Sequence, residues 1–309
     1  MILTVTLNPS IDKSYRIDNF QIGKIFRPQE ENSVAGGKGI NVTKVIKILG
    51  EEVTATGFLG GKAGEFIEEE LNKMGVRCEF IKIEGETRTC IAILDPVQGT
   101  HTEILEKGPY VEPENIVEFL EKFSIISKKY NIITASGSAA RGVYEDIYVE
   151  LVNIAKRNGA KLILDTSGNY LSKALTAKPF MIKPNKEEAE KLLRRELKTI
   201  EEFKKAAEEL RNLGIEVVSI TLGSEGSIIA TNEGVFEITP PKIKLASPVG
   251  SGDSYVAGMA VGIKRGFNIV EAAILATACG ASNAMHYKTG YVVRSDVEQL
   301  RKEVKVEKL

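Results

Sequence analysis

The sequence predicts an α/β fold with a mainly parallel sheet that is covered by helices on both faces. From about residue 110, short apolar stretches such as 132–135 and 161–164 alternate with amphipathic helical stretches. The strands of a parallel sheet are buried on both faces and are therefore continuously apolar, and helices usually connect them. The 309 residues contain no linker-like or repeated segment. We therefore expect a single domain over residues 1–309.

The predicted elements follow one another closely along the chain. Residues 2–7 form the first strand, which Asn8-Pro9 ends, and 227–230 with 235–238 form a hairpin at one edge of the sheet. We expect helices at 43–49, 64–74, near 143–158, 186–194 and 200–213, and from about 252, 269 and 295.

Two segments, 13–34 and 87–106, do not fit the main sheet. Both alternate polar and apolar residues and are interrupted by turns, and we expect short strands at 14–17, 25–27, 87–94 and 100–105. These strands are predicted to pair as a small sheet, or lid, outside the main sheet. A small sheet has edges and an apolar face that must be covered, and a partner subunit can cover them. The sequence therefore favours a homodimer formed through the lid.

The composition argues against several classes of partner. The net charge is −1 with acidic and basic residues interleaved, so neither nucleic acid nor an anionic membrane is expected as the main partner. No apolar run approaches the roughly 20 residues of a membrane span, and the N-terminus lacks the features of a signal peptide. The three cysteines have the character of reduced thiols, which favours a cytoplasmic protein. The two histidines are far apart in sequence, which makes a histidine-based metal site or triad a weak hypothesis.

The turn Gly250-Ser251-Gly252-Asp253, directly before an apolar helix, is the most informative motif. Glycines let backbone N–H groups approach a ligand, and the start of a helix adds unpaired donors and partial positive charge. Together they form a typical phosphate site. Because a carboxylate repels phosphate, Asp253 is a candidate for the base that accepts the proton of an attacking hydroxyl. The structural alternative is an aspartate that the helix dipole favours.

Other polar clusters also follow predicted strands. Ligands of open α/β sheets bind at the carboxyl ends of the strands. Each cluster has a structural alternative, such as an ordinary glycine turn or, for Asn185 with Glu188, a helix capping box instead of help with water-bound Mg²⁺. The clusters are Asp12, the loop Gly36-Gly37-Lys38-Gly39, Ser136 with Ser138, Asn185 with Glu188, and the turn from Thr221 through Gly223 to Gly226.

In their order and combination, these motifs resemble the ribokinase-like, or phosphofructokinase B, family of sugar kinases, and the resemblance covers the whole chain. The chain is most similar to the phospho-sugar kinase branch, which contains tagatose-6-phosphate kinases and 1-phosphofructokinases. Residues 85–94 and 102–109 are more similar to the tagatose-6-phosphate kinases, as are 283–284 with 289–292. The resemblance implies a ribokinase-like three-layer α/β/α sandwich with a mainly parallel sheet and a small β-sheet lid.

The resemblance also implies an activity, the ATP- and Mg²⁺-dependent phosphorylation of a ketohexose monophosphate to the bisphosphate. Tagatose 6-phosphate is favoured as the substrate, and fructose 1-phosphate is the first alternative, before fructose 6-phosphate. A kinase of nucleosides or unphosphorylated sugars is disfavoured by the basic Lys38 and Arg88, and a non-catalytic sensor by the intact Asp253 and Glu188. Whether a monovalent cation also takes part is left open.

By resemblance, each motif residue has an expected role. The loop at 136–142 lacks the Leu-Pro-type residues that the family usually has there, so Arg141 is either a phosphate contact or simply exposed. Arg88 would contact the sugar's phosphate, from this chain's lid or from the partner's. The expected substrate residues are Asp12, Arg27, Gly36, Gly37, Lys38, Asn41, Arg88, Ser136 and Ser138. Those expected for ATP are Lys183, Asn185, Thr221, Gly223, Gly226 and Asn283. By the same resemblance, Glu188 would serve Mg²⁺ through water, and Gly250, Ser251, Gly252 and Asp253 would form the catalytic turn.

Overall fold

The computed structural model describes residues 1–309 and contains two sheets. The strands are β1 Ile2–Thr6, β2 Ser10–Arg16, β3 Glu30–Gly36, β4 Val53–Gly60, β5 Arg77–Cys78, β6 Ile81–Ile83, β7 Arg88–Asp95, β8 Thr100–Leu105, β9 Ile132–Ser136, β10 Lys161–Asp165, β11 Met181–Ile182, β12 Val217–Thr221, β13 Ser227–Thr231, β14 Gly234–Thr239 and β15 Lys305–Lys308. The helices are α1 Lys38–Ile48, α2 Gly61–Lys73, α3 Pro113–Ile126, α4 Ile147–Arg157, α5 Gly168–Ala174, α6 Lys186–Leu193, α7 Ile200–Asn212, α8 Ser251–Lys264, α9 Ile269–Ala284 and α10 Arg294–Leu300.

The main sheet has eleven strands in the order β15-β14-β13-β12-β11-β10-β9-β1-β4-β5, with β6 also paired to β4. The strands from β12 to β5 are parallel, whereas β13, β14 and β15 continue one edge as antiparallel hairpins. Because β1, β9 and β10 run side by side in parallel, their carboxyl ends lie at one edge of the sheet. The mainly parallel sheet predicted from the sequence is confirmed.

Helices cover both faces of the main sheet. One apolar core contains Leu3 and Val5 of β1 and side chains of α3 to α7. The other contains Ile2 of the same strand and side chains of α1, α2, α8, α9 and α10. Successive strand residues point to opposite faces, so β1 contributes to both cores in alternation. The three-layer α/β/α arrangement is therefore confirmed. None of the helices combines the length and the apolar character that crossing a membrane requires.

A separate small sheet has the order β3-β2-β7-β8, which confirms the predicted lid sheet. It begins earlier than expected, at Ser10, so Asp12 lies within a lid strand and not in a turn after β1. Residues 25–27, expected as a strand, form none, and the edge strand β15 was not expected. β15 is short, exposed and rich in lysine, and it therefore lacks the apolar pattern by which buried strands are identified.

Candidate active site

The two helix starts that carry the glycine motifs meet at the carboxyl edge of the main sheet. Gly250 caps α8 with φ 83°, in the region that favours glycine, and an added Cβ would lie 2.7 Å from Cγ2 of Thr289. Gly37 caps α1 with φ 93°, and a Cβ there would lie 3.1 Å from Cα of Pro9. Both turns therefore need glycine, and both helix N-termini are open to a ligand because no side chain caps them.

Asp253 lies in the first turn of α8 and is buried. Its Oδ2 accepts a hydrogen bond of 2.9 Å from Nδ2 of Asn41 in α1. Burial raises the pKa of Asp253 to about 6, and the negative charge of Asp165 adds to this, whereas Lys38, the Asn41 bond and Lys183 oppose it. The carboxylate is therefore ionised at neutral pH but is far more basic than an ordinary aspartate, as suits a proton acceptor.

Two lysines from different parts of the chain meet at one buried carboxylate. Nζ of Lys38, at the start of α1, lies 3.6 Å from Oδ1 of Asp165, and Nζ of Lys183, just after β11, lies 3.2 Å from the same atom. Asp165 ends β10. The Asp165 carboxylate raises the pKa of Lys38 above its ordinary value, with help from Asp253 and Glu188 and against the effect of burial. Cationic groups thus face the space next to the two glycine turns.

A third lysine, Lys44 of α1, joins the two sides of the site. Its Nζ donates hydrogen bonds of 3.0 Å to the carbonyl oxygens of Ala35 and of Thr289. Ala35 directly precedes Gly36 and Gly37, and Thr289 packs against Gly250. Burial lowers the pKa of Lys44 to about 8, although Asp12 and Asp253 oppose this.

On the lid side, Asp12 and Gly36 pack directly against each other. A Cβ on Gly36 would lie 2.1 Å from Oδ2 of Asp12, so a larger residue at this position would displace the Asp12 side chain. Oδ1 of Asp12 accepts a hydrogen bond of 2.7 Å from Oγ of Ser10. Ser136 is buried at the end of β9 with no hydrogen-bond partner for its hydroxyl, and Ser138 is exposed.

The three arginines considered for the sugar's phosphate have different surroundings. Arg88 donates from Nη2 to the carbonyl oxygen of Asn8 at 3.0 Å and from Nη1 to that of Glu106 at 3.1 Å. Arg141 donates from Nε to the carbonyl oxygen of Gly108 at 3.0 Å and lines the same cavity as Arg88, of about 580 Å³. Arg27 is exposed on the loop between β2 and β3. Arg141 therefore neighbours Arg88, although the family pattern does not place an arginine there.

On the other side of the edge, Asn185 and Glu188 form a capping box at the start of α6. Oδ1 of Asn185 accepts from the backbone N of Glu188 at 2.8 Å, and Oε2 of Glu188 accepts from the backbone N of Asn185 at 2.9 Å. The structural alternative for this pair is therefore present. Oε1 of Glu188 has no partner in the box, so a hard oxygen ligand remains available to water-bound Mg²⁺.

The turn predicted to bind the nucleotide and the side chain of Asn283 both have structural roles. Thr221 and Gly223 lie where β12 turns into β13. Gly226 has φ 101°, and a Cβ there would lie 2.0 Å from the carbonyl oxygen of Ile238, so the hairpin itself requires glycine. Asn283 is fully buried: its Nδ2 donates to the carbonyl oxygen of Val249 at 2.8 Å, and its Oδ1 accepts from Ser254, Gly290 and Tyr291. These hydrogen bonds indicate that Asn283 stabilises the turn before α8.

Comparison with known proteins identifies the family. The model of the pfkB family of carbohydrate kinases matches residues 5–295. The chain belongs to this PfkB family. It is 41% identical over 309 residues to a tagatose-6-phosphate kinase of Staphylococcus epidermidis, covering 99% of each chain. It also resembles the crystal structure of a possible 1-phosphofructokinase from Thermotoga maritima, with 32% identity, a TM-score of 0.91 and coverage of 100% of this chain and 99% of that one. The structure of phosphofructokinase-2 from Escherichia coli in complex with potassium has 27% identity, a TM-score of 0.92 and coverage of 98% of both chains.

In this PfkB kinase the structure brings together Lys38, Asn41, Lys183 and Asp253, which the sequence analysis selected. Asp165 and Lys44 lie among them and were not selected. The only available signal for Asp165 was its position directly after the apolar stretch 161–164. Lys44 lies within a predicted helix, where a lysine ordinarily faces solvent, so no pattern distinguished it.

Proposed function

We propose that this PfkB kinase transfers the γ-phosphoryl group of ATP to a hydroxyl of tagatose 6-phosphate and forms tagatose 1,6-bisphosphate. The observation that carries the proposal is the buried Asp253, bonded to Asn41 at the uncapped start of α8. The full-length similarity to a tagatose-6-phosphate kinase supports the choice of sugar. An ATP-dependent step of this kind also suits the cytoplasmic location that the composition favours.

In the proposed reaction Asp253 accepts the proton of the attacking sugar hydroxyl. A carboxylate is too weak a base to ionise an alcohol in advance, but a loose transition state lets the proton leave late. The raised pKa of Asp253, about 6, makes that transfer easier while leaving the group ionised at neutral pH. Its bond to Asn41 fixes which carboxylate oxygen remains free.

The backbone N–H groups at Gly250, Ser251 and Gly252 are proposed to hold the phosphoryl group during transfer. The N–H of Ser251, which donates to the carbonyl oxygen of Pro248 at 3.2 Å, would exchange this bond for one to a phosphoryl oxygen. Lys183 lies beside this turn, since its Nζ would be 3.5 Å from a Cβ on Gly252. Lys183 and Lys38 supply positive charge at a site that also holds the negative Asp165 and Asp253. Positioning and electrostatic stabilisation of this kind account for most catalysis of phosphoryl transfer.

For the sugar, we propose hydrogen bonds from Asp12, Asn41 and the Gly36–Gly37 backbone, with Ser136 and Ser138 at the adjoining loop. Oδ1 of Asn41 and the hydroxyl of Ser136 are buried without a hydrogen-bond partner. Buried polar atoms are rarely left unpaired, so these two suit sugar hydroxyls. Lys38, Arg27 and Arg88 are proposed for the sugar's own phosphate. Arg88 retains N–H groups beyond the two that bind backbone carbonyls, and Arg141 lies beside it.

For ATP, we propose that Lys183 and Asn185 approach the phosphates and that Thr221, Gly223 and Gly226 line the nucleotide. Glu188 would hold Mg²⁺ through water with its free Oε1, and the ion would neutralise phosphate charge. Asn283 is retained as a residue that shapes the turn at Val249. Because the Escherichia coli relative has a structure with potassium, we extend the proposal to a monovalent cation, which potassium in the assay would test.

We also propose a homodimer formed through the small sheet. In this sheet Ile91 is in register with Lys13 and Ile104, and Ile93 with Tyr15 and Thr102, so these side chains share one face. Ile104 is 54% exposed. The face formed by Tyr15, Ile91, Ile93 and Ile104 is only partly buried within one chain, and we propose that a second copy of the chain covers it.

A coupled assay of ADP release tests the proposed activity. We expect the highest kcat/KM with tagatose 6-phosphate, then with fructose 1-phosphate and fructose 6-phosphate, and little turnover with ribose or unphosphorylated tagatose. A preference for fructose 1-phosphate would establish the alternative, a 1-phosphofructokinase. If no sugar supported turnover but one raised the melting temperature, the protein would be a sensor and the kinase proposal would be wrong.

A further inference from the structure

Asp165 is the most buried charged residue at the proposed site, and nothing in the activity proposed above gives it a role. Its side chain is 1% exposed, and neither carboxylate oxygen accepts a hydrogen bond. Its nearest charged neighbours are the ammonium groups of Lys183 and Lys38, at 3.2 and 3.6 Å from Oδ1. A buried carboxylate without hydrogen bonds is costly, and these two cations are what offsets that cost.

The two lysines reach Asp165 from opposite sides of the site. Lys38 begins α1, next to the Gly36–Gly37 turn proposed for the sugar, and its side chain is 43% exposed. Lys183 follows β11 on the nucleotide side, and its side chain is 5% exposed. Asp165 ends β10, and β10 pairs with β9 on one side and β11 on the other. The end of β10 is therefore in contact with one cation from α1 and one that follows the neighbouring strand β11.

We propose that Asp165 is a positioning residue: its carboxylate holds the ammonium groups of Lys38 and Lys183 together, so that both cations meet phosphate from one fixed anchor. The proposal rests on the kinase function above, in which both lysines meet phosphate. A single carboxylate oxygen at a strand end, in contact with both ammonium groups, restricts two flexible side chains before the substrates bind, which lowers the cost of ordering them later.

The same arrangement influences Asp253. The charged groups that act on it are Asp165 at the end of β10, Lys183 after β11, and Lys38 and Lys44 on α1. Asp165 raises the pKa of Asp253, and Lys38 and Lys183 lower it. Asp165 therefore counteracts the lysines that it holds, and together with burial, which is the larger cause, it keeps the pKa of Asp253 raised.

The first test compares the pH dependence of kcat/KM in the wild type, Asp165→Asn and Asp165→Glu. In the wild type we expect activity to fall as the pH drops through about 6, where Asp253 takes up a proton. Asp165→Asn removes a negative charge but leaves the lysines, so the pKa of Asp253 should fall. The acidic limb of the pH profile, over which activity is lost, should therefore move to lower pH. Asp165→Glu keeps the charge, so the limb should stay near that of the wild type. A lower rate in Asp165→Asn with an unmoved limb would indicate a merely structural residue and overturn the proposal.

The second test does not depend on turnover. Calorimetric titration with ATP should show affinity about 10- to 100-fold weaker in Asp165→Asn, the value of one or two hydrogen bonds to a charged group. Asp165→Glu displaces the carboxylate by one methylene group and should lose part of this ATP affinity. This variant therefore tests the proposal even if Asp165→Asn does not fold. Unchanged ATP affinity in Asp165→Glu, together with unchanged affinity in any folded Asp165→Asn, would contradict the anchor.

Thr166→Val is the matched control. Thr166 follows Asp165, is buried, and donates from Oγ1 to the carbonyl oxygen of Gly137 at 2.8 Å. The control perturbs the same strand end without a change in charge, so the pH limb and the ATP affinity should match the wild type. If the wild type turned over no sugar phosphate, the kinase proposal would fail, whereas the ATP titrations would still decide the role of Asp165.

Discussion

The two sheets of this protein differ in how they are covered. The strands of the main sheet at the site, β1, β9 and β10, are almost wholly buried between two helix layers. In the small sheet, every residue of β8 and most of β3 is exposed. The main sheet supplies the buried Asp165 and the surroundings of Asp253, and the small sheet supplies Asp12 and Arg88. The proposed chemistry therefore lies on the rigid element, and the proposed choice of substrate lies partly on the exposed one.

This difference follows from what each task requires. A proton acceptor with a shifted pKa needs burial and fixed neighbours, which only a covered sheet provides. A sheet that admits and encloses a substrate must retain the freedom to move, and an incompletely buried sheet has that freedom. The comparison can be tested with substitutions on each sheet.

Asp253→Asn should have the largest effect. The amide cannot accept the proton, so we expect kcat to fall by roughly 10²- to 10⁴-fold, the usual contribution of a general base. Steady-state kinetics with tagatose 6-phosphate would measure this. A variant with nearly normal turnover would show that Asp253 is not the base.

The same variant should not lose stability, because ionised Asp253 is itself unfavourable in the fold. The pKa of Asp253 is raised from 3.8 to about 6, so its contribution to stability is complete below about pH 4 and is lost as the pH rises through about 6. Relative to Asp253→Asn, the wild type should lose about 3 kcal/mol across that interval. Denaturant unfolding at pH 4 and pH 8 would measure the change, and a constant difference would contradict the raised pKa.

Arg88→Ala tests the small sheet and should have a smaller effect, on binding. We expect KM for tagatose 6-phosphate to rise about 10- to 100-fold, the contribution of one or two hydrogen bonds between charged groups. KM for unphosphorylated tagatose should hardly change. Arg16→Ala is the matched control, because Arg16 lies on the same sheet but pairs with Glu30 at 3.1 Å and is not proposed to bind substrate. Equal losses for both sugars would assign Arg88 to lid structure, through its bonds to Asn8 and Glu106.

The sequence was sufficient to predict the glycine turns at the starts of α1 and α8, and the sheet, because these depend on local chemistry. Gly250 and Gly37 have positive φ angles and close neighbours that only glycine permits, so their motifs are visible in the sequence. The contact between Asn41 and Asp253 joins residues that are 212 positions apart, and it was not predicted, although the motifs placed both residues at one site.

The role proposed for Asp165 could not be predicted because it depends on two strand ends and a helix start coming together. A single aspartate after an apolar strand is as common in a turn as in a site. Arg88 illustrates a second limit. Its place on a strand of the lid was predicted, but its hydrogen bonds to the backbone carbonyls of Asn8 and Glu106 depend on how the lid packs. Sequence motifs therefore do not determine which side chains on different helices and strands contact one another.

Ile104→Asp tests the face of the small sheet that is proposed to form the dimer, and it should have the smallest effect on activity. Ile104 is 54% exposed in the single chain, so the charge should leave the fold intact. In a dimer it would lie in an apolar interface, and we expect dimer dissociation to increase by at least about tenfold, which sedimentation velocity would measure. Leu105→Asp is the matched control. Leu105 is the next residue of β8 and is 61% exposed, but it is in register with Cys90 and so points to the opposite face, the one that holds Asp12. If Leu105→Asp dissociated the dimer and Ile104→Asp did not, the interface would lie on the face that holds Asp12. The small sheet would then be covered at its substrate face, which would contradict the proposed difference between the two sheets.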